Sequence, residues 1–335
     1  MRKFGLPVLL VFLVGALLSG CSSGPSQPAK TEPIKLRAAH YFKDDHPWQK
    51  GLVYFANKVK EDSKGQIDIQ IFGGGVLGNE SQVMQFIKDG SLDFAVSDPN
   101  AGATFAKEFD FFVLPFLFQD YDNWKKAING PAGEKFAKVI EAKSGIKIIG
   151  YWGGSVRNLL STNKPIQSMD ELKGFRLRVS SSPAKIDVWK AVGTVPTPIA
   201  YMETYLAMKS GVVDGMENEL PMVVDMKFYE PAPYITRTEH EFTVRPLFMA
   251  KQTYDKLSPE LQQIVVKAAK EAADYEQKLE REASLTAEKT LQEKFKVQFF
   301  NIDKQPLKEA TKPVVTGFAK TMGLEDLISD IEKAK

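Results

Sequence analysis

The sequence predicts an α/β protein built as two lobes, each with a mixed, mostly parallel sheet flanked by helices. Two runs of alternating strand and helix patterns support this, one from residue 34 and one from about residue 146. A third observation is the stretch from Pro259 to about Phe295, which lacks glycine and further proline and predicts one long helix. The 335 residues, 43% of them hydrophobic, suffice to bury two cores.

The first run has the order strand, helix, strand, helix, strand. Strands are predicted in IKLRAAHY, QIDIQIF and LDFAVS, and helices in PWQKGLVYFANKVKEDS and ESQVMQFIKDG. Ligands of such sheets bind at the carboxyl ends of the strands. We therefore expect His40, the glycines 73–75 and Asp98 on one rim.

The second run predicts strands in IKIIGYW and RNLLST, separated by a turn at Gly153 and Gly154, and a further strand in FRLRVS. Helices are predicted in SMDELKG, PAKIDVWKAVG and METYLAMKSG, with the apolar segment VPTPIAY before the last. The alternating segment EHEFTVRPLFMA is long enough to cross from one lobe to the other. We assign residues 34–154 and 243–282 to lobe I, and residues 155–242 and 283–335 to lobe II.

The long helix has a clear start, with Ser258 as its N-cap and Pro259 in its first turn. At 1.5 Å per residue it would measure roughly 50 Å, more than one small lobe needs. We expect it to lie across both lobes as a brace.

The N-terminus predicts export. Arg2 and Lys3 precede an uncharged apolar run that ends in LSGC, so residues 1–20 are interpreted as a signal peptide. LSGC resembles the lipobox of bacterial lipoproteins, which implies that Cys21 is lipidated and anchors an extracytoplasmic protein to a membrane. The Ser/Pro-rich residues 21–33 are interpreted as a flexible tether. Cys21 is the only cysteine, so no disulfide is expected.

The charge balance argues against a nucleic-acid partner. Residues 1–20 hold two of the 44 Lys and Arg and none of the 42 Asp and Glu. The remaining chain is therefore electrically balanced, without the basic excess typical of nucleic-acid binders.

Motifs for catalysis, metals and cofactors give little support to an enzyme. GGGVLG at residues 73–78 matches the dinucleotide pattern G-x-G-x-x-G, but the next helix is expected only after Asn79, so these glycines are interpreted as a loop. The chain lacks CxxC, HExxH and GxSxG, and His46 and His240 are interpreted as structural. The acidic cluster Asp214, Glu217 and Glu219 could in principle bind a hard cation, but it is interpreted as loop solvation with one functional neighbour. We expect no cofactor, no metal and no catalytic residue, and keep an exported dinucleotide-dependent oxidoreductase as an alternative.

An anion site is suggested by the stretch GFRLRVS. Its alternation puts Arg176 and Arg178 on one face of a strand, and a guanidinium buried there requires a fixed anion. Arg157, Tyr201 and Asn218 also follow predicted strand ends or turns. Together these residues predict an anion site between the lobes, although alternation does not choose between the two arginines.

Several segments resemble the extracytoplasmic solute-binding proteins of TRAP transporters, the DctP type. They are RNLLSTNKPI, MDELKGFRLRV, VGTVPTPIAYMETYLAMKSGVVDGMEN and KFYE in the second lobe, and FGGGVLGNE, IKDGSLDFAVS and LPFLFQDYDNW in the first. The resemblance implies a periplasmic-binding-protein-like fold without enzymatic activity. It also implies a small organic-acid ligand, a C4-dicarboxylate or a related hydroxy or oxo acid, which is delivered to the transporter's two membrane subunits.

The resemblance also assigns roles within the site. It implies that Arg178 makes a paired contact with the ligand carboxylate, that Arg157 and Asn218 assist it, and that Tyr201 forms an aromatic wall. Arg176 is left to solvent or a helix end. Asp98, His40 and Trp152 complete the candidate ligand-binding set.

Two departures from the family pattern concern the rest of the pocket. Ser180 stands where the family usually has proline, and Val76 where it often has a polar residue. Sugar acids and aromatic acids remain open, with Trp152, Tyr201 or Trp189 nearby. A structural surface lipoprotein without a small ligand is the second alternative.

Overall fold

A computed structural model describes residues 32–334. The predicted signal peptide, the Cys21 anchor and nearly all of the predicted tether lie outside the described residues. The strands are β1 (Ile34–Ala39), β2 (Ile67–Phe72), β3 (Phe94–Val96), β4 (Ile146–Ser161), β5 (Arg176–Val179), β6 (Val195–Pro198), β7 (Gly215–Glu219), β8 (Tyr234–Ala250) and β9 (Gln298–Asn301). The helices are α1 (Pro47–Asp62), α2 (Glu80–Asp89), α3 (Tyr121–Ile128), α4 (Pro131–Ser144), α5 (Pro183–Ala191), α6 (Thr204–Lys209), α7 (Leu220–Asp225), α8 (Lys251–Lys256), α9 (Pro259–Glu293), α10 (Gln305–Met322) and α11 (Glu325–Glu332).

Two long antiparallel strands, β4 and β8, are shared by both lobes. The sheet order is β2-β1-β3-β8-β4-β7-β5-β6, with β9 beside the first residues of β8. β1 pairs in parallel with β2 and β3, and β5 pairs in parallel with β6 and β7. β4 pairs antiparallel with β7 and β8, and β3 pairs antiparallel with β8. The predicted two-lobed α/β fold, with mixed, mostly parallel pairing, is confirmed.

The predicted turn at Gly153 and Gly154 is wrong, because β4 runs through both glycines as one strand of 16 residues. Their φ angles of 97° and 100° lie where only glycine is unstrained, and the pairing with β8 shifts register between Gly153 and Val156. The glycines therefore form a β-bulge, which re-aims the side chains that follow it, including Arg157.

The long helix α9 is confirmed, with 35 residues from Pro259 to Glu293. Ser258 caps it, since its side chain accepts a hydrogen bond from the Leu261 N–H at 3.3 Å. Leu261 and Val265 pack in the core beside α1, whereas Ala287 and Leu291 pack in the separate core around Phe228. One helix thus buries its two ends in different lobes.

The end of the chain differs from the predicted lobe boundary. α10 packs on α5, as expected for lobe II, but α11 packs on α3 and α4 of lobe I. The Asn123 side chain fixes this contact by donating to the Ile331 carbonyl at 2.7 Å. Local patterns could not reveal this return to lobe I, because it depends on pairing between helices far apart in sequence.

Two buried carboxyl groups on α9 face the bulge in β4. Glu276 Oε2 accepts from the Gly153 N–H at 2.9 Å, and Glu280 accepts from the Ser155 hydroxyl. Burial raises the pKa of both, that of Glu280 to about 7, and other carboxylates, among them Glu219, add to the shift. Both carboxyls therefore favour the protonated form inside the fold.

Glu280→Gln is expected to remove a loss of stability that wild type suffers as pH rises to neutral. The pKa of Glu280 is about 7 in the folded protein and about 4.5 in the unfolded chain, so the unfolded chain loses this proton first. The free energy of unfolding therefore falls as pH rises from about 4.5 to about 7. The variant should be more stable than wild type at about pH 8, and the difference should close towards about pH 5. Urea unfolding at both pH values measures it, with the exposed Glu282→Gln as control. A pH-independent difference would contradict this account.

Candidate functional site

A small cavity lies between the lobes, where β5 and β7 end near the crossing strands. Its volume is about 30 Å³, room for no more than a few water molecules, so a sugar-sized ligand requires its walls to separate. The lining residues are Tyr41, Phe42, Trp48, Glu80, Asp98, Asn100, Arg157, Arg178, Ser180, Lys185, Tyr201, Glu217, Asn218, Glu219, Met222 and Arg245.

Arg178 on β5 is a cation buried in the wall of the cavity. It is 4% exposed, and its Nε and Nη2 donate to the Ile199 carbonyl at 2.9 and 2.7 Å. It forms no ion pair within the described residues 32–334. Burial lowers its pKa below the ordinary value, although Glu217 and Glu80 oppose this. A charge held in this way favours a bound anion.

The other arginine of the β5 strand does not enter the cavity. Arg176 is exposed and pairs with Asp214, through Nη2 to Oδ1 at 2.5 Å and Nε to Oδ2 at 3.1 Å. The assignment of Arg176 to the surface therefore agrees with the structure, and β5 buries one arginine while exposing the other.

Arg157 on β4 sits in a row of charges that crosses three strands. Its register partners are Glu219 on β7 and Glu241 on β8. Its Nε binds the Glu217 carboxylate, and its Nη2 donates to the Glu217 carbonyl at 2.8 Å. Burial opposes the charge of Arg157, but the carboxylates Glu217, Glu241 and Glu219 raise its pKa. Arg157 is thus already paired within the protein.

Lys185 on α5 joins the same cluster. Its Nζ lies 3.2 Å from Glu217 Oε1 and 2.8 Å from Glu241 Oε2, and all three residues are at most 5% exposed. Burial alone would raise the pKa of Glu217, but Arg157, Lys185 and His240 lower it well below its usual range. His240 Nε2 stands 3.3 Å from Glu217 Oε2. The cations and carboxylates of this cluster therefore compensate one another's charge inside the fold.

Glu217, His240 and Glu241 converge closely enough to suggest a metal site. Arg157 and Lys185 already bind these two carboxylates, so the cluster carries its own cations. We keep the prediction that no metal is bound.

Arg245 on β8 forms a second charged group. Its Nη2 lies 3.0 Å from both carboxylate oxygens of Glu219, and its Nη1 lies 2.7 Å from Asp98 Oδ1. Burial disfavours the charged form of Asp98, but Arg245, Arg157 and Lys185 lower its pKa. The Tyr41 hydroxyl donates to the other Asp98 oxygen at 3.3 Å. Asp98 therefore presents a carboxylate acceptor to the cavity.

Tyr201 and Asn218 lie side by side in the cavity wall. Asn218 Nδ2 donates to the Tyr201 hydroxyl at 3.2 Å, and the Arg178 guanidinium carbon lies 5.6 Å from the Tyr201 ring. This ring packs edge-on against Phe42 and Phe228. An aromatic wall next to the Arg178 guanidinium suits the flat faces of a small organic acid.

The lobes also touch through Ser180. Its hydroxyl accepts from Asn100 Nδ2 at 3.2 Å, so residues from the two predicted lobes meet at the cavity. A proline at this position would have no side-chain acceptor. The departure noted in the sequence thus adds a polar contact across the lobes.

Two predicted site residues do not line the cavity. His40 is buried, with Nε2 at 2.6 Å from Gln49 Oε1 and Nδ1 accepting from the Phe42 N–H, so it supports the loop that carries Tyr41 and Phe42. Trp152 is fully buried in the core under α1 and α9. Its ring lies on the face of β4 that α1 and α9 cover, against Gly51 of α1, and therefore points away from the pocket. We leave both out of the ligand-binding set.

Lys185, Arg245 and the carboxylates Glu80, Glu217 and Glu219 line the cavity but were missed as site residues. Glu217 and Glu219 are on the buried strand β7, so their interpretation as loop solvation is wrong. For Glu217, Glu219 and Arg245 the only sequence signal was charge within a segment that forms a buried strand, whereas Glu80 and Lys185 lie on helices and gave no such signal.

Fold and site together are those of a two-lobed solute-binding protein, with a charged cavity between its lobes. A family model described as bacterial extracellular solute-binding protein, family 7 (DctP), matches residues 38–321. The chain belongs to this family of extracellular solute-binding proteins.

The relatives include a solute-binding protein of Sulfitobacter sp. (strain NAS-14.1), 35% identical over 90% of this chain and 92% of its own. The C4-dicarboxylate-binding periplasmic protein DctP of Rhodobacter capsulatus is 27% identical over 95% of this chain and 96% of its own length.

No helix of the described residues is long and apolar enough to span a membrane.

Among solved structures, a TRAP periplasmic solute-binding protein of Sulfitobacter sp. NAS-14.1 with bound α-D-taluronate is 32% identical, with a TM-score of 0.85 over 89% of this chain and 97% of its own. The sugar-acid-binding protein DctPAm of Advenella mimigardefordensis with galactonate is 28% identical, with a TM-score of 0.84 over 91% and 99%. These proteins are solute receptors, which supports that class for this chain over the two alternatives.

Proposed function

We propose that this protein closes on a sugar acid, or a related small organic acid, and delivers it to the membrane subunits of a TRAP transporter. Arg178 is the proposed carboxylate anchor, with Arg157, Asn218, Tyr201 and Asp98 completing the site. The observation that carries the proposal is the burial of Arg178 in the cavity without an ion-pair partner in residues 32–334. A planar guanidinium offers two parallel donors to a carboxylate.

A polyhydroxylated acid fits the rest of the wall better than a simple C4-dicarboxylate. Asp98 and Glu80 are oxygen acceptors on the cavity wall, and hydroxyl groups can donate to them. Two of the similar solved structures hold sugar acids. The C4-dicarboxylate that the sequence suggested therefore ranks second.

We also propose that residues 1–20 are removed on export and that Cys21 carries a lipid. LSGC and the preceding apolar run support this. Such an anchor would hold the receptor at the membrane surface, close to the subunits that accept its solute.

A thermal-shift screen tests the proposal with residues 22–335, refolded to remove carried-over solute. A ligand at about 100 times its dissociation constant adds about 2.7 kcal/mol to stability, which is readily measured. We expect galactonate, galacturonate or glucuronate to raise the melting temperature and neutral galactose not to. A response to a nicotinamide cofactor alone would favour the oxidoreductase, and a flat response to every acid would favour a structural lipoprotein.

A further inference from the structure

We propose that Glu80 makes this cavity select acids with one carboxylate over acids with two, by placing negative charge on the wall opposite Arg178. The inference rests on the proposed function and specifies the chemistry of its ligand. It follows from how the charged side chains of the cavity are paired.

Of the four cations that line the cavity, three are held in ion pairs among residues 32–334. Arg157 and Lys185 are bound to Glu217, and Arg245 holds Glu219 and Asp98. Arg178 alone forms no ion pair among the cavity residues. The site can therefore neutralise one carboxylate without breaking an existing ion pair.

Glu80 is placed on the other lobe by a well-defined helix start. It is the first residue of α2, where Asn79 and Gln82 form a capping box. It lines the cavity, and it forms no ion pair within residues 32–334. Its neighbour Asp98 lies on the same lobe. This side of the cavity thus carries two carboxyl groups, and Glu80 is close enough to Arg178 that Arg178 lowers the pKa of Glu80 and Glu80 raises that of Arg178.

A hydroxyl and a carboxylate meet this wall differently. A ligand hydroxyl donates a hydrogen bond to the Glu80 or Asp98 oxygens, which is favourable in a dry site. A second ligand carboxylate has no proton to donate and meets like charge, which is strongly unfavourable at close range. Glu80 therefore discriminates between acids that share a carbon skeleton.

The discrimination should depend on pH. Burial raises the pKa of Glu80 to about 7, with Asp98 contributing, while Arg178, Arg245 and Tyr41 oppose the shift. Above this pH Glu80 is ionised and repels a second carboxylate. Below it the protonated carboxyl can donate to that carboxylate, so the preference should weaken as pH falls.

Calorimetry with galactonate and galactarate tests the inference. The two acids share a skeleton and hydroxyl configuration, but carbon 6 is a hydroxymethyl group in one and a carboxylate in the other. We expect wild type to prefer galactonate by at least about tenfold at pH above 7, and Glu80→Gln to reduce this ratio severalfold by improving galactarate binding. Glu203→Gln, which removes an exposed carboxylate beside Tyr201, should leave the ratio unchanged.

Because both affinities are measured in the same variant, a loss of folded protein does not alter their ratio. Equal wild-type affinity for the two acids, or a proportional loss of both in Glu80→Gln, would overturn the role of Glu80 and leave the proposed function intact. A wild-type protein that binds neither acid nor any other carboxylate would overturn the proposed function itself.

Discussion

Arg178→Ala is expected to weaken solute binding by more than about tenfold, because removing one side of a buried charge pair costs about 2 to 5 kcal/mol. The variant leaves the ligand carboxylate inside the cavity without its two parallel donors. Stability of the ligand-free protein should change little or rise, since Arg178 is a buried charge without an ion-pair partner among residues 32–334. Calorimetry and urea unfolding separate the two effects.

The matched control is Arg176→Ala on the same strand. Arg176 is exposed and pairs with Asp214, so its removal should not change solute affinity. Arg178→Lys should recover little, because an ammonium group does not offer the planar pair of donors. Wild-type affinity in Arg178→Ala would show that the carboxylate is held elsewhere.

The strand and helix order of residues 34–97 and the starts of α2 and α9 could be predicted from the sequence, because they depend on residues close together in the chain. The cap of α9 by Ser258 needs only four consecutive residues. Likewise, Asn79 identified the start of α2 and separated the Gly-rich loop 73–78 from that helix, which removed the geometry of a dinucleotide site.

The course of β4 could not be predicted in the same way. Adjacent glycines are typical of turns, and local preference alone favours one at Gly153 and Gly154. Pairing with β8, about ninety residues later, holds the strand extended on both sides of the bulge. Tertiary pairing therefore overrides the local signal.

Only part of the site could be predicted from the sequence. Alternation along β5 identified two arginines, and only the resemblance to a family selected Arg178. The partners of Lys185 lie on β7 and β8, far away in sequence, so no spacing motif could indicate the cluster. The roles of Arg178, Arg157, Asn218, Tyr201 and Asp98 in ligand binding stay predictions.

Glu217→Gln is expected to destabilise the protein by about 3 to 5 kcal/mol, the usual cost of removing one partner from a buried ion pair. Glu217 is 1% exposed and binds Arg157 and Lys185, with His240 nearby. An amide keeps the shape but leaves an excess of positive charge in the core. Urea unfolding at neutral pH measures the loss.

Two further measurements test whether the lost charge, rather than altered packing, destabilises Glu217→Gln. Adding Lys185→Met to Glu217→Gln restores the balance and should recover part of the stability, whereas a volume effect predicts a further loss. The pKa of Glu217 is depressed below 4.5, so its contribution exists above that pH and is lost as pH falls through the folded pKa. The gap between wild type and Glu217→Gln should therefore narrow in acid, and a gap that stays constant would mean that packing, rather than charge, holds the crossing strands to α5.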